Sequence, residues 1–235
     1  MSMPTPLSQT RMGVKELHDS LYMRILTGKL RPGAVLSESR VAKEAGVSRT
    51  PVRQVFQKLA DAGFLIIIPQ VGTYVAPISM GSVRDAQFVR ESLECSAVAR
   101  AASSTRSDKE QLLHPLLEEQ QRLIRRKDHV GFFLSDETMH RRLMEIAGHP
   151  HVWDVIASAK VSLDRLRYIS LERSVWLDMI FRQHEDLVGR VVGGDPTGAV
   201  EVMQAHLRTA FAAVDQIAAD NADFFVEAPD ADIAP

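Results

Sequence analysis

Apolar residues recur at helical spacing along most of this chain, and the exceptions are short and sharply placed. Val14, Leu17, Leu21 and Ile25 form one stripe, which predicts a helix over about 14–27 ended by Gly28. Arg31-Pro32-Gly33 reads as a turn. A short helix follows over about 38–45, with Ser37 as its cap. Val52, Val55, Phe56 and Leu59 mark a third helix over about 49–62, closed by Gly63. Phe64 to Ile68 is then a β-branched run that reads as a strand. Pro69-Gln70-Val71-Gly72 is a turn, and Thr73 to Ala76 a second strand stopped by Pro77. Three helices and a hairpin make a winged helix-turn-helix. Beyond residue 80 the period stays helical, with stretches at about 80–104, 108–127, 129–147, 150–171, 174–192 and 196–219. Ser107 with Glu110 reads as a capping box, and Asp195-Pro196 as an N-cap followed by proline at the first helical position.

The fold class expected is therefore mainly α: an N-terminal winged helix-turn-helix with a small β-hairpin, then an all-α bundle of about six helices. Residues 1–10 read as a flexible tail and 11–78 as a DNA-binding domain. Residues 79–220 read as a second, helical domain, and 221–235 as a flexible acidic tail.

The turn into the third helix carries the first chemistry. In Gly46-Val47-Ser48-Arg49-Thr50-Pro51-Val52-Arg53, Gly46 can take the positive φ of a tight turn. Ser48 can cap the helix with its hydroxyl, and Pro51 breaks no ladder bond in the first turn. Arg49, Arg53 and Gln57 share the face opposite the apolar stripe. Arginines and amides such as Gln54 at the start of an exposed helix suit base edges in the major groove. Gln70 and Gly72 mark the wing tip, where backbone could approach a phosphate or the minor groove.

Charge sharpens this picture. The net charge of −2 hides an asymmetry, because residues 1–80 hold ten Lys/Arg against five acids, a net +5, leaving −7 for the remainder. A basic front suits a polyanion. No run of about 20 apolar residues predicts a membrane span. The single cysteine, Cys95, excludes an internal disulfide and suits a reducing, cytoplasmic setting.

The second domain places polar groups where apolar ones belong. Phe132, Asp136, His140, Leu143 and Ala147 form one stripe; Leu177, Phe181, His184, Val188 and Val191 another; Met203, His206, Ala210, Ala213 and Ile217 a third. A lone histidine on such a stripe usually just hydrogen-bonds a neighbour. Three of them, with Asp136 one turn before His140, predict a metal site, because an ionised aspartate inside a bundle is costly unless compensated. Imidazole with one carboxylate suits a divalent transition metal: zinc first, or nickel, manganese or iron. Arg90 shares a largely apolar stripe with Val83, Ala97 and Ala101, with Glu94 one turn on. It is either half of a surface ion pair or a guanidinium aimed inward at a carboxylate.

These motifs together resemble the GntR-type transcription regulators of the FadR subgroup, over about residues 13–215. The first half of the resemblance rests on Arg31-Pro32-Gly33, Leu36-Ser37-Glu38, Gly46 to Arg53 and Gly72-Thr73-Tyr74-Val75. The second rests on Asp136-x-x-x-His140-Arg141-x-Leu143, Ala147-Gly148-x-Pro150, His184, Gly194-Asp195-Pro196 and Met203-x-x-His206-Leu207. The resemblance implies a homodimer that reads an inverted-repeat operator in double-stranded DNA, usually as a repressor. It also implies a metal on Asp136, His140, His184 and His206, and a small carboxylate effector aided by Arg90. DNA contacts are implied for Arg49, Thr50, Arg53 and Gly72. Arg40 stands as the nearest base to a position, that of Ser39, where some members carry a basic residue. A metal-sensing regulator and a metalloenzyme fused to a DNA-binding domain are the competing readings. No acid–base partner beyond the ligands supports the enzyme.

Overall fold

The computed structural model describes residues 12–171, 174–212, 217 and 224–226. Chain contacts divide it into two compact units that meet between Pro77 and Ile78. The expected N-terminal tail, residues 1–10, lies outside the described residues.

The first unit holds α1 (Val14–Leu26), β1 (Val35–Leu36), α2 (Glu38–Ala45), α3 (Arg49–Asp61), β2 (Leu65–Ile68) and β3 (Gly72–Val75). Leu17, Leu21, Ile25, Val41, Val52, Val55, Phe56 and Leu59 are buried together with Phe64, Leu65 and Val75. Val14, although on the expected stripe, is 41% exposed, because it lies at the open end of α1. Gly46 ends α2 at φ 65°, ψ 29°, a left-handed conformation that a side chain disfavours. Ser48 takes the N-cap position of α3 in extended backbone, but its hydroxyl makes no capping hydrogen bond. The expected side-chain cap is therefore corrected: the turn itself sets the entry.

The hairpin is larger than the sequence predicts. β1 pairs antiparallel with β3, giving a three-stranded sheet in the order β1-β3-β2. Two residues are too short to show an alternation, so β1 has no readable sequence signal. Because β2 is an edge strand, Ile66, Ile67 and Ile68 stay 39–45% exposed despite their apolar run.

The second unit contains β4 (Ile78–Ser79), α4 (Met80–Ser103), α5 (Lys109–Arg125), α6 (His129–Ile146), α7 (Val152–Ala159), α8 (Val161–Leu171), α9 (Ser174–Gly193), α10 (Pro196–Ala212) and β5 (Phe225–Val226). Its central core joins Val98, Ala101, Leu113, Met139, Leu143, Leu187, Val188, Val191, Met203 and Leu207 from five helices.

Three expectations are corrected here. The predicted helix 150–171 is two helices, giving seven in this unit among the described residues. The break falls at Lys160, where Trp153 and Ile156 pack with Ala97 and Met144, whereas Leu163 and Leu166 pack with Ile78, Val83 and Ala86. Two different cores pull the halves apart. The Ser107–Glu110 box is absent, since α5 begins at Lys109 and Arg106 holds Asp108 instead. The expected acidic tail from 221 is not wholly loose. Phe224 is buried, and β5 pairs in parallel with β4 through Ile78–Phe225 and Ser79–Val226. The rest of 221–235 lies outside the described residues, as does the expected extension of α10 to 219, apart from the buried Ile217.

Asp195 behaves as predicted, accepting from the Gly198 N–H at 2.9 Å at the start of α10. No described helix is long and apolar enough to cross a membrane.

Candidate metal centre and nucleic-acid interface

Three helices of the second unit bring four polar side chains to one buried point. Asp136 and His140 come from α6, His184 from α9 and His206 from α10, and one ligand-capable atom from each lies within 4.8 Å of all the others. His140 and His184 are fully buried, and Asp136 and His206 nearly so. His140 Nε2 is 3.1 Å from His206 Nε2 and 3.7 Å from Asp136 Oδ1, and His184 Nε2 is 3.2 Å from Asp136 Oδ1. Metal–nitrogen bonds of about 2.0–2.1 Å set neighbouring ligand atoms about 2.9–3.4 Å apart. The His140–His206 and His184–Asp136 separations fall in that range, and the His140–Asp136 separation is slightly longer.

Protonation follows from the outer contacts. Glu94, from α4, hydrogen-bonds the Nδ1 of His140. Gln120 Oε1, from α5, lies 2.7 Å from the Nδ1 of His184. Oxygens of this kind only accept, so each Nδ1 carries the hydrogen. In the neutral ring, the lone pair is then on Nε2, pointing inward. His184 Nε2 has no aligned hydrogen-bond partner among the described residues. Inward lone pairs facing one another and a carboxylate repel unless a cation lies between them. The donor set and its outer support could hold a divalent metal ion.

The electrostatics agree. Arg167 of α8 ion-pairs with Asp136, with Glu137 at 2.7 Å and with Asp164 at 3.0 Å. Lys160 reaches Glu137 and Asp164 at 2.5 Å each, and Arg90 reaches Glu94 at 2.5 Å. Four carboxylates thus meet three cationic side chains. Burial disfavours an ionised Asp136, but Arg167 and His140 outweigh it and hold the pKa well below the usual value. Burial likewise opposes a charge on His140, yet Glu94 and Asp136 outweigh it and raise the pKa. His206 is driven well below the ordinary range, by burial first and then by the other two histidines.

Arg90 is not half of a surface pair. It is 2% exposed and grips the fully buried Glu94. Its guanidinium lines a small cavity with Asp136, Arg167, Ser170, Ile180 and His206. That cavity measures about 20 Å³, room for about one water. Sequence reasoning passed over Glu94 as a ligand's support, and missed Gln120, Arg167 and Lys160. Their signal is weak: polar residues scattered on amphipathic helices look like solvated faces until a partner helix covers them. Cys95 is buried, which pushes its thiol up to about 11, far from a reactive thiolate.

In the first unit, Arg49, Thr50, Arg53 and Gln54 are all exposed on the opening turns of α3. Arg40 and Ser48 are exposed beside them, with the Arg40 Nη2 donating to the Val35 carbonyl at 3.2 Å. Gln70 sits at the wing turn with φ 62°, and Gly72 opens β3. Arg49 and Arg53 both bond to Glu38, the first residue of α2. Glu38 closes the Leu36-Ser37-Glu38 motif, and nothing in its spacing signals this contact.

A basic reading helix with a wing, followed by a helical sensor-like bundle, defines a DNA-binding transcription regulator. The comparisons with known proteins agree. The model of the gntR family of bacterial regulatory proteins matches residues 14–75, and that of the FCD domain matches residues 85–209. The chain belongs to the GntR family and carries an FCD domain behind its winged helix. It is 35% identical over 227 residues to the HTH-type transcriptional repressor RspR of Escherichia coli (strain K12), covering 97% of this chain and all of that protein. It is 34% identical over 221 residues to an HTH-type transcriptional regulator in an unstable DNA locus of Streptomyces ambofaciens, covering 92% of this chain and 90% of that one. Among solved structures, E. coli McbR/YncC matches with a TM-score of 0.74 at 20% identity, over 87% of this chain and 97% of that chain. The relatives are transcription regulators rather than enzymes.

Proposed function

We propose that this chain is a metabolite-responsive repressor whose FCD domain holds a divalent transition metal on Asp136, His140, His184 and His206. Zinc suits this set best, with nickel, manganese and iron as chemical alternatives. The observation that carries the reading is the inward convergence of the imidazole Nε2 atoms, with the outer Nδ1 positions of His140 and His184 already engaged by Glu94 and Gln120. Once bound, the metal supplies a Lewis-acidic anchor for an anionic ligand. Arg90 and Ser170 on the cavity wall would orient a small carboxylate effector there. The repressor role is carried over from the related transcriptional repressor RspR.

A cytoplasmic homodimer would set two α3 helices against the arms of an inverted-repeat operator. Arg49, Thr50, Arg53 and Gln54 would meet base edges. Arg40, Ser48, Gln70 and Gly72 would meet phosphate or the minor groove. Effector binding shifts operator affinity only by its difference in affinity between the two arrangements of the reading domains.

The decisive experiment measures operator affinity of metal-loaded and metal-stripped protein, with and without a panel of small organic acids. A response that needs both metal and acid supports the proposal. Because the cavity holds about one water, the metal alone is a second reading. A full response to metal without any acid would select it. A protein that takes up no metal at all rejects both. Arg90→Ala should weaken the acid response more than metal uptake.

A further inference from the structure

The two arginines on the reading face of α3 are not independent. Arg49 Nη2 lies 2.8 Å and Nε 3.3 Å from Glu38 Oε2. Arg53 Nε lies 3.0 Å from Oε1, and its Nη2 3.1 Å from Oε2. One carboxylate therefore grips two guanidiniums placed four residues apart. Both arginine side chains are more than 60% exposed, whereas the Glu38 side chain is 22% exposed. The anchor is the least exposed member of the trio, and it stands on a different helix from the groups it holds.

The arrangement has consequences for DNA. Two cations at i,i+4 spacing repel and swing apart if left alone. Bridged by Glu38, they keep a fixed separation. Each guanidinium spends its Nε and one Nη on the carboxylate and keeps the other Nη for a groove. The trio also carries a net charge of only +1. Loose arginines attract any phosphate, and that attraction is independent of sequence. Arginines held in register discriminate among base edges.

We propose that Glu38 is a positioning residue for DNA recognition, holding Arg49 and Arg53 in reading geometry while suppressing sequence-independent attachment. This rests on the assignment of α3 as the reading helix. Glu38 itself touches no base; it sets the ratio of specific to non-specific affinity.

The test uses the full metal-loaded chain and two duplexes. One is selected from a random pool by the wild-type protein, and the other is a scrambled duplex of equal composition. Glu38→Gln keeps the side chain's size and removes its charge. It should bind the scrambled duplex a few-fold more tightly, bind the selected duplex more weakly, and lose tenfold or more in their ratio. Its non-specific salt slope should steepen by about one unit, because one more phosphate charge is neutralised. A ratio within twofold of wild type, with an unchanged slope, would overturn the inference.

Glu38→Asp separates charge from geometry, and stands in if Glu38→Gln loses its circular dichroism or melting transition. The shorter acid keeps the charge but cannot span both arginines. It should keep the wild-type salt slope and still lose specific affinity. Full wild-type specificity in Glu38→Asp would overturn the geometric claim. Failure of the wild-type chain to enrich any duplex would instead overturn the reading of α3, and this inference with it.

Discussion

Gln120 Oε1 lies 2.7 Å from His184 Nδ1, and this one contact decides which nitrogen of His184 faces Asp136. With Nδ1 donating outward, Nε2 is left 3.2 Å from Asp136 Oδ1 with its lone pair inward. An amide on one helix thus orients an imidazole on another. Glu94 does the same for His140.

Gln120→Leu should therefore weaken metal binding without removing a ligand. Loss of an outer partner of this kind typically lowers affinity 10- to 100-fold. Competition with a chromogenic chelator measures it, and wild-type affinity would show that the ring needs no such holder.

His184→Ala and His206→Ala should each lower the metal content of the purified protein and blunt its response to organic acids. Operator binding without effector should stay measurable, because the two residues lie in the second unit. Elemental analysis and electrophoretic mobility shifts read the two effects separately.

Glu94→Gln should destabilise the protein by about 3–5 kcal/mol, since it strands the Arg90 guanidinium without a charge partner in the interior. Urea unfolding measures this. The same pair sets an acid limit. Burial opposes the Glu94 charge, but Arg90 and His140 outweigh it, so the folded-state pKa lies below the ordinary 4.5. The unfolded carboxyl keeps its ordinary value. The stabilisation is complete above about pH 4.5 and drains away as the pH falls below it. Glu94→Gln should flatten that acid limb.

Lys160→Met should also cost about 3–5 kcal/mol, because Glu137 and Asp164 lose a buried cationic partner. Lys160 stands at the break between α7 and α8, so the loss should show in the melting transition of the second unit. A melting point within a degree of wild type would deny the residue this role.

Arg53→Ala should cost about 1–3 kcal/mol in binding to a selected operator and relax specificity at one base position. Titration against single-base operator variants checks both effects.

Much of this was legible in the residues alone, because helices and strands write their burial in period. The stripes through His140, His184 and His206 placed histidines among core positions, and those positions are buried. Gly46 marked the turn, and the Arg49–Arg53 spacing marked one exposed helix face. The period failed where an element is too short or too evenly apolar to show one. β1 has two residues, and the run 150–171 hides a break that two separate cores impose at Lys160. Phe224 and its strand looked like tail because nothing local demands that they pack.

Spacing along one helix determines which residues share a face, and so the chain alone nominated Asp136, His140, His184 and His206. It could not say what stands behind them. The outer grip of Glu94 and Gln120, the salt-bridge web through Arg167 and Lys160, and the hold of Glu38 on two arginines join residues from different helices. Such contacts depend on how whole helices cross, which is settled by packing of the complete core and by no local pattern.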